Sequence, residues 1–304
     1  MADLFYVNNT KVALSLPSIS VCHDQVEIDV KENKKEAVCV LISIYEPDFD
    51  LSKKINQFDM IVINAVYTLS VNEVTTFTPS DICRLIYGDK AMDVTKVMAA
   101  KIEESLDKMM YCPMRIDWTA QCKARHLREE EYECILDGIL LPMEKMRIKT
   151  RKKHNVAVQY TLTNTPIIFR YAEQFPGKPQ IISFPVAILT NSRVKNETSE
   201  DIVIKHYLIR RIERMKNPRN HQIKRDISYE WYDKETKRKR GLLAELDIDL
   251  SQYGKPRTKK MKIHKSIIGF LEAFQRSGYI DGYSINKKGT EITGYHILLK
   301  DHQP

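Results

Sequence analysis

The side chains in this chain best equipped for chemistry are cationic, and they crowd into the stretch 255–299, KPRTKKMKIHKSIIGFLEAFQRSGYIDGYSINKKGTEITGYHILL. Arg257, Lys259, Lys260, Lys262 and Lys265 lie close together, and Lys287 and Lys288 follow as a pair. Ammonium and guanidinium groups donate hydrogen bonds to phosphate oxygens and to the O6/N7 edge of guanine, while Thr258 and Met261 can touch a thymine methyl. Such groups, crowded together, suit recognition of a polyanion. Thr258, Met261, Lys262 and Lys265 are therefore expected to face base edges. Arg257, Lys259 and Lys260, in the first turns of a helix, are expected to meet phosphate, as are Lys287 and Lys288. Arg210, Arg211 and Arg214, on an earlier helix, are weaker phosphate candidates, with a solvated helix flank as the alternative.

The elements that must position these residues are legible. Pro256 sits where a helix begins, because its missing N–H would be unpaired there in any case. Ile263, Ile267, Phe270, Leu271 and Phe274 then recur at helical spacing. At about 100° per residue, Thr258, Met261, Lys262, Lys265 and Gly269 fall on the opposite face. Gly278 ends the helix. Tyr279, Ile280, Tyr283 and Ile285 predict a strand, Lys287-Lys288-Gly289 a turn, and Ile292, Tyr295, Ile297 and Leu299 a returning strand. A helix with a cationic first half before a lysine-tipped hairpin is the outline of a winged helix-turn-helix, whose helix enters the major groove while the hairpin touches phosphate.

Charge distribution points the same way. The net charge of the 304 residues is +8. Residues 200–304 hold 23 Lys and Arg against 14 Asp and Glu, a net of +9, and the remainder holds 25 against 26. The excess belongs to the last third, which calls for a polyanionic partner there. No broad amphipathic face accompanies it, so a membrane partner is not expected. The six cysteines form no C-x-x-C pair or zinc-spaced cluster and read as buried thiols. The first residues, MADLFYVNNT, carry no secretory pattern, and no apolar run is long enough to span a bilayer. A soluble, cytoplasmic protein is expected.

Catalytic signatures are absent from the sequence. None of the eight histidines is paired at i, i+2 to hold a nicking metal, and there is no G-x-x-x-x-G-K-[ST], G-x-S-x-G, H-E-x-x-H or G-x-G-x-x-G. His264, alone at the edge of an apolar stripe, reads as a satisfied packing residue, and Trp118 and Trp231 read as core. No enzyme, no metal and no cofactor are expected.

The chain divides into three by pattern. Residues 1–50 alternate polar and apolar as a β-rich N-terminal extension. Residues 51–190 hold a helix over 51–70, a second begun by Thr78-Pro79-Ser80-Asp81 and stopped by Gly88, a third from Asp93, then strands from 114 to 162. Residues 191–304 open after the polar stretch NSRVKNETSE with the helix EDIVIKHYLIRRIERMKN, pass through a middle element interrupted by Lys234–Arg240, and end in the basic helix and hairpin. Both halves repeat one order of elements, so the fold class is α+β, with tandem winged helix-turn-helix domains.

Three phrases, FDMIVINAVYTLSVNE with FTPSDICRLIYG, then IKHYLIRRIERMKN, then GFLEAFQRSGYIDGY, occur in an order that resembles the replication initiator (Rep) proteins of plasmids, phages and mobile elements. That resemblance spans most of 51–300. It implies a second domain that binds repeated origin sequences in double-stranded DNA through its last helix. It also implies a first domain that adds phosphate contacts and, in dimeric forms, a homodimer interface. Origin opening and recruitment of host replication proteins would follow without covalent chemistry. A winged-helix transcriptional regulator and a protein-interaction module are the alternatives.

Overall fold

A computed structural model describes residues 2–19, 25–33, 36–44, 54–89, 91–127, 133–149, 156–175, 180–192, 197–216, 225–233 and 238–299. In chain order the elements are β1 (Leu4–Asn8), α1 (Lys11–Ser15), β2 (Gln25–Asn33), β3 (Glu36–Ile44), α2 (Gln57–Val71), β4 (Thr76–Phe77), α3 (Pro79–Tyr87) and α4 (Lys96–Met110). There follow β5 (Pro113–Asp117), α5 (Thr119–Ala124), β6 (Ile135–Ile139), β7 (Met143–Lys149), β8 (Val156–Leu162), α6 (Ile167–Glu173), β9 (Ile181–Pro185) and α7 (Ala187–Asn191). The last are α8 (Ser199–Lys216), β10 (Asp226–Ser228), β11 (Trp231–Asp233), β12 (Arg238–Arg240), α9 (Leu242–Glu245), α10 (Pro256–Arg276), β13 (Gly282–Lys288) and β14 (Glu291–Leu298). The fold is α+β. The chain forms two compact units, residues 1–85 with 90–181, and residues 86–89 with 182–304.

The first unit is centred on α2, which is buried along most of its length. A capping box starts it: Asn56 accepts from the Asp59 N–H, and Asp59 accepts from the Asn56 N–H. Asp59 also accepts from Ser105 Oγ at 2.6 Å and pairs with Lys108 Nζ at 2.5 Å, fastening α4 to α2. Residues set apart by pattern as an extension are integral here. β1 lies along α2, where the Tyr6 N–H donates to Thr68 Oγ1 at 2.9 Å and the Asn8 N–H to Asn64 Oδ1 at 3.1 Å. β2 and β3 continue into a four-stranded antiparallel sheet of order β2-β3-β5-β6. The second unit begins at 182, ahead of the boundary expected at 191, because α7 belongs to it: Leu189 is buried, and the Thr190 hydroxyl donates to the Gly88 carbonyl.

One order of elements occurs in both units. In the first, α2, β4, α3 and α4 precede the hairpin β7–β8, and the sheet order is β4-β8-β7. In the second, α8, β10, α9 and α10 precede the hairpin β13–β14, and the sheet order is β10-β14-β13. Each time a short strand pairs antiparallel with the second strand of the hairpin. The additions differ: β5-α5-β6 in the first unit, and the small hairpin β11–β12 in the second.

The second unit's core is the apolar stripe expected from the sequence. Ile263, Ile267, Phe270, Leu271 and Phe274 of α10 are all buried, with Ile204, Leu208 and Ile212 of α8. Each such side chain contributes about 1.5–3 kcal/mol relative to exposure. His206 of α8 is buried as well and lies 3.3 Å from the Ile86 carbonyl oxygen through Nε2. Burial, helped by the neighbouring Lys205 ammonium, pushes its pKa down to about 3. The folded state thus holds His206 neutral, while the unfolded chain protonates it below about pH 6.5. Stability contributed by the neutral ring is present above that pH and is lost as pH falls from about 6.5 toward 3, at up to about 1.4 kcal/mol per pH unit. Melting temperatures measured from pH 7 to pH 4 are expected to fall less steeply for His206→Gln than for the parent protein.

Candidate nucleic-acid interface

α10 presents two unlike faces. One carries the buried residues Ile263, Ile267, Phe270, Leu271 and Phe274, whereas Arg257, Thr258, Met261, Lys262 and Lys265 are exposed on its N-terminal half. Thr258, Met261, Lys262 and Lys265 recur at i, i+3, i+4 and i+7, and so form one stripe opposite the core stripe. Pro256 stands at the start, and no side chain caps the first turn, which leaves amide N–H groups beside Arg257 open to an acceptor. The hairpin β13–β14 carries Lys287 and Lys288 at its tip, both exposed, where Gly289 adopts φ +61° to close the turn.

Helix and hairpin are latched together. Lys260 Nζ pairs with Glu291 Oε1 at 2.8 Å, and this bond holds the Glu291 carboxyl below its usual range. His264 Nδ1 lies 2.6 Å from the Tyr295 hydroxyl, which is 2.5 Å from the Tyr229 hydroxyl. The His264 and Tyr295 rings stack with centroids 5.9 Å apart. Partial burial, then the nearby Lys287 charge, lowers the His264 pKa, so the ring stays neutral at pH 7 and serves the latch. Tyr229, more buried, is pushed up to about 12. His264 is thus a satisfied packing residue. The latch fixes where Lys287 stands relative to Lys262 and Lys265, and no local sequence signal announces it.

Several expected phosphate contacts have other engagements. Lys259 pairs with Glu200 at 2.5 Å and lies over the Tyr253 ring, so its side chain is only 16% exposed. Lys260 is held by Glu291 and sits over the Tyr229 ring. Arg210 pairs with Glu245 at 3.3 Å, lies over the Tyr207 ring and is 11% exposed. Burial lowers the pKa of the Arg210 guanidinium, against the pull of Glu245. These three cations fasten the unit together and are poorly placed to meet phosphate. Arg211 and Arg214 are half-buried on the same helix, and burial also lowers Arg214. In contrast, Arg257, Lys262, Lys265, Lys287 and Lys288 are exposed and make no ion pair among the described residues.

Beside the exposed stripe runs a groove of about 590 Å³, walled by Thr198, Glu200 and Asp201 at the start of α8 and by Thr258, Lys262 and Lys265 of α10. Both acids are engaged locally, although Glu200 Oε1 is buried without a hydrogen-bond partner. Asp201 accepts from the Thr198 N–H and hydroxyl and from Ser266 Oγ, and Glu200 takes Lys259.

The expectation for the tryptophans splits. Trp118 is core at 2% exposure, but Trp231 is 51% exposed and Tyr232 60%. Among the described residues β11 pairs with β12 alone, in a two-stranded sheet set apart from the unit's three-stranded one. Among the described residues no group of His, Cys, Asp and Glu could hold a metal ion, and no helix is long and apolar enough to cross a membrane. Cys83, Cys112, Cys122 and Cys134 are buried thiols outside any disulfide.

No protein-family description matches the chain, and no curated protein does. Among solved structures the chain is similar to a crystal structure of RctB domains 2-3, at 10% identity over 91% of each chain with a TM-score of 0.43. It is also similar to a structure of selenomethionine derivatives of domain 2 and domain 3 of RctB, at 13% identity over 90% of this chain and 89% of that one, again with a TM-score of 0.43. Superposition at that level says nothing about the site, which stands on the geometry above.

Proposed function

We propose that this protein binds double-stranded DNA sequence-specifically through α10, with the β13–β14 hairpin as a wing, and that each unit is a winged helix. One observation carries the reading: Thr258, Met261, Lys262 and Lys265 form an exposed stripe on a helix whose opposite face is core, with Lys287 and Lys288 latched alongside. A helix about 10–12 Å across fits the major groove, and the stripe offers donors and methyl groups to base edges there. The recurring order of short strand, helices and hairpin supports the tandem arrangement. The role is initiation of replication at an origin of a plasmid or mobile element, by binding and opening DNA without covalent catalysis. That role rests on the sequence resemblance to Rep initiators, as do a homodimer and recruited host replication proteins.

In the first unit the matching helix is α4, where Lys96, Lys101 and Glu104 are exposed but the other charged residues are used internally. Lys108 is buried on Asp59, while Glu103 and Asp107 pair with Lys145 at 2.9 Å and 2.5 Å. Tyr160 adds a hydroxyl bond to Asp107 at 2.7 Å. Base reading is therefore assigned to the second unit.

Fluorescence anisotropy with labelled duplexes cut from the DNA flanking the coding region tests the proposal. A fragment holding tandem repeats is expected to bind about 10³-fold or more tighter than random duplex at physiological salt. Equal affinity for both would contradict sequence-specific reading. Lys287→Ala or Lys288→Ala is expected to weaken every duplex alike and to flatten the slope of log K against log[salt] by about one. Loss confined to one sequence would place the wing on base edges instead.

A further inference from the structure

His264 uses one ring nitrogen for packing and leaves the other open. Nδ1 lies 2.6 Å from the Tyr295 hydroxyl, and that hydroxyl lies 2.5 Å from the hydroxyl of Tyr229. Nε2 has no hydrogen-bond partner among the described residues and is not one of the buried polar atoms left without one, so it meets solvent. The hydroxyl relay decides what Nε2 offers. Tyr229 and Tyr295 are 3% and 0% exposed, so both hydroxyl hydrogens need acceptors. When Tyr229 donates to Tyr295 and Tyr295 donates to Nδ1, each hydrogen has one. In the reverse direction the Tyr229 hydrogen has no acceptor among the described residues. A neutral His264 therefore accepts at Nδ1 and carries its hydrogen on Nε2. The stacked Tyr295 ring, its plane 14° from the imidazole, keeps that orientation.

The open nitrogen stands in cationic company. Lys260 and Arg257 lie four and seven residues back along α10, on the flank that carries His264. Lys287 of β13 acts on the ring through its charge, while Glu291 of β14 is taken up by Lys260. Such surroundings attract an acceptor that bears negative charge. Phosphates border a helix lying in the major groove, and they take half or more of the hydrogen bonds that proteins make to DNA.

We propose that His264 is a further DNA-contact residue, whose Nε2–H donates to one phosphate oxygen of the duplex where α10 meets the wing. The contact rests on α10 being the reading helix. An imidazole locked in one tautomer and one orientation fixes the register of the helix on the backbone, which a flexible ammonium does less well. Being neutral, it displaces no condensed counterion.

The two ring nitrogens are separable by substitution. Asparagine can place its oxygen near the Nδ1 position without reaching as far as Nε2, and glutamine can place its amide N–H near Nε2. The probe is the tightest duplex selected by the full chain from a random pool of about 20 base pairs. At pH 7, His264→Asn is expected to weaken its binding about 10-fold, and binding of random duplex by the same factor. His264→Gln is expected to keep most of the affinity. The slope of log K against log[salt] should stay at the parent value in His264→Asn, whereas Lys287→Ala flattens it. In the unsubstituted protein with nitrogen-labelled histidine, the selected duplex is expected to shift the Nε2 resonance of His264. Parent-like binding by His264→Asn, while the doubly substituted Lys262→Ala, Lys265→Ala protein loses affinity, would overturn this contact and leave the reading helix standing. Parent-like binding by that double lysine variant would remove the reading helix, and the contact with it. Loss in His264→Gln without loss in His264→Asn would reduce His264 to the latch, and a flattened slope in His264→Asn would make it a cation; either overturns the proposal. So does an unmoved Nε2 resonance.

Discussion

Replacing Lys262 or Lys265 by alanine is expected to cost roughly 1–3 kcal/mol on the cognate duplex and to relax discrimination at the base each one reads. Both side chains are exposed, and neither makes an ion pair among the described residues, so truncation removes nothing from the fold. The two lie three residues apart on one helix face and share a stretch of groove, so their effects need not add. Anisotropy with cognate and scrambled duplexes measures the effect. Loss on the cognate duplex alone identifies a base contact, and equal loss on both identifies a phosphate contact. Lys260→Ala provides the contrast. Its ammonium is tied to Glu291, so its effect on binding should come through a loosened wing and fall on all sequences alike.

The second large effect concerns stability. Lys205 and Glu197 form an ion pair at 2.8 Å with side chains 0% and 1% exposed, and Lys205 Nζ also lies 3.4 Å from the Leu189 carbonyl oxygen and 5.7 Å from the Phe270 ring centroid. Removing one partner strands the other charge in a medium that solvates it poorly. Glu197→Ala is therefore expected to destabilise the second unit by about 3–5 kcal/mol in urea unfolding. Replacing both partners, as Lys205→Met with Glu197→Gln, removes the stranded charge and is expected to recover most of that loss. A small effect of Glu197→Ala would mean that water reaches Lys205. The bond also explains why α7 belongs with α8 and α10, since Leu189 contributes both its buried side chain and the carbonyl.

What was legible in the sequence was periodic. The stripe Ile263, Ile267, Phe270, Leu271 and Phe274 is buried as its spacing demands, and Thr78 with Asp81 starts α3 through reciprocal hydrogen bonds at 2.9 Å and 3.3 Å. Alternation in 25–44 likewise marks strands. Its membership in the first unit was not legible, because β3 finds its partner β5 far along the chain, Ile42 opposite Ile116. Engagement of the cations was hidden for the same reason. Lys260 meets Glu291, Lys259 meets Glu200 and Arg210 meets Glu245, all partners remote in sequence, so helical position alone could not tell a free lysine from a tied one. Trp231 misled through its type: a tryptophan near Ile227 looks like core, yet among the described residues its strand has one neighbour. The charged run after it was the available signal.

Lysine acetylation footprinting, read by mass spectrometry with and without the repeat-bearing duplex, tests the central claim most directly. Lys262, Lys265, Lys287 and Lys288 are expected to be modified in the free protein and shielded in the complex, while Lys205, buried on Glu197, stays unmodified in both. Shielding of lysines elsewhere, with Lys262 and Lys265 as reactive in the complex as in the free protein, would contradict a reading helix at α10.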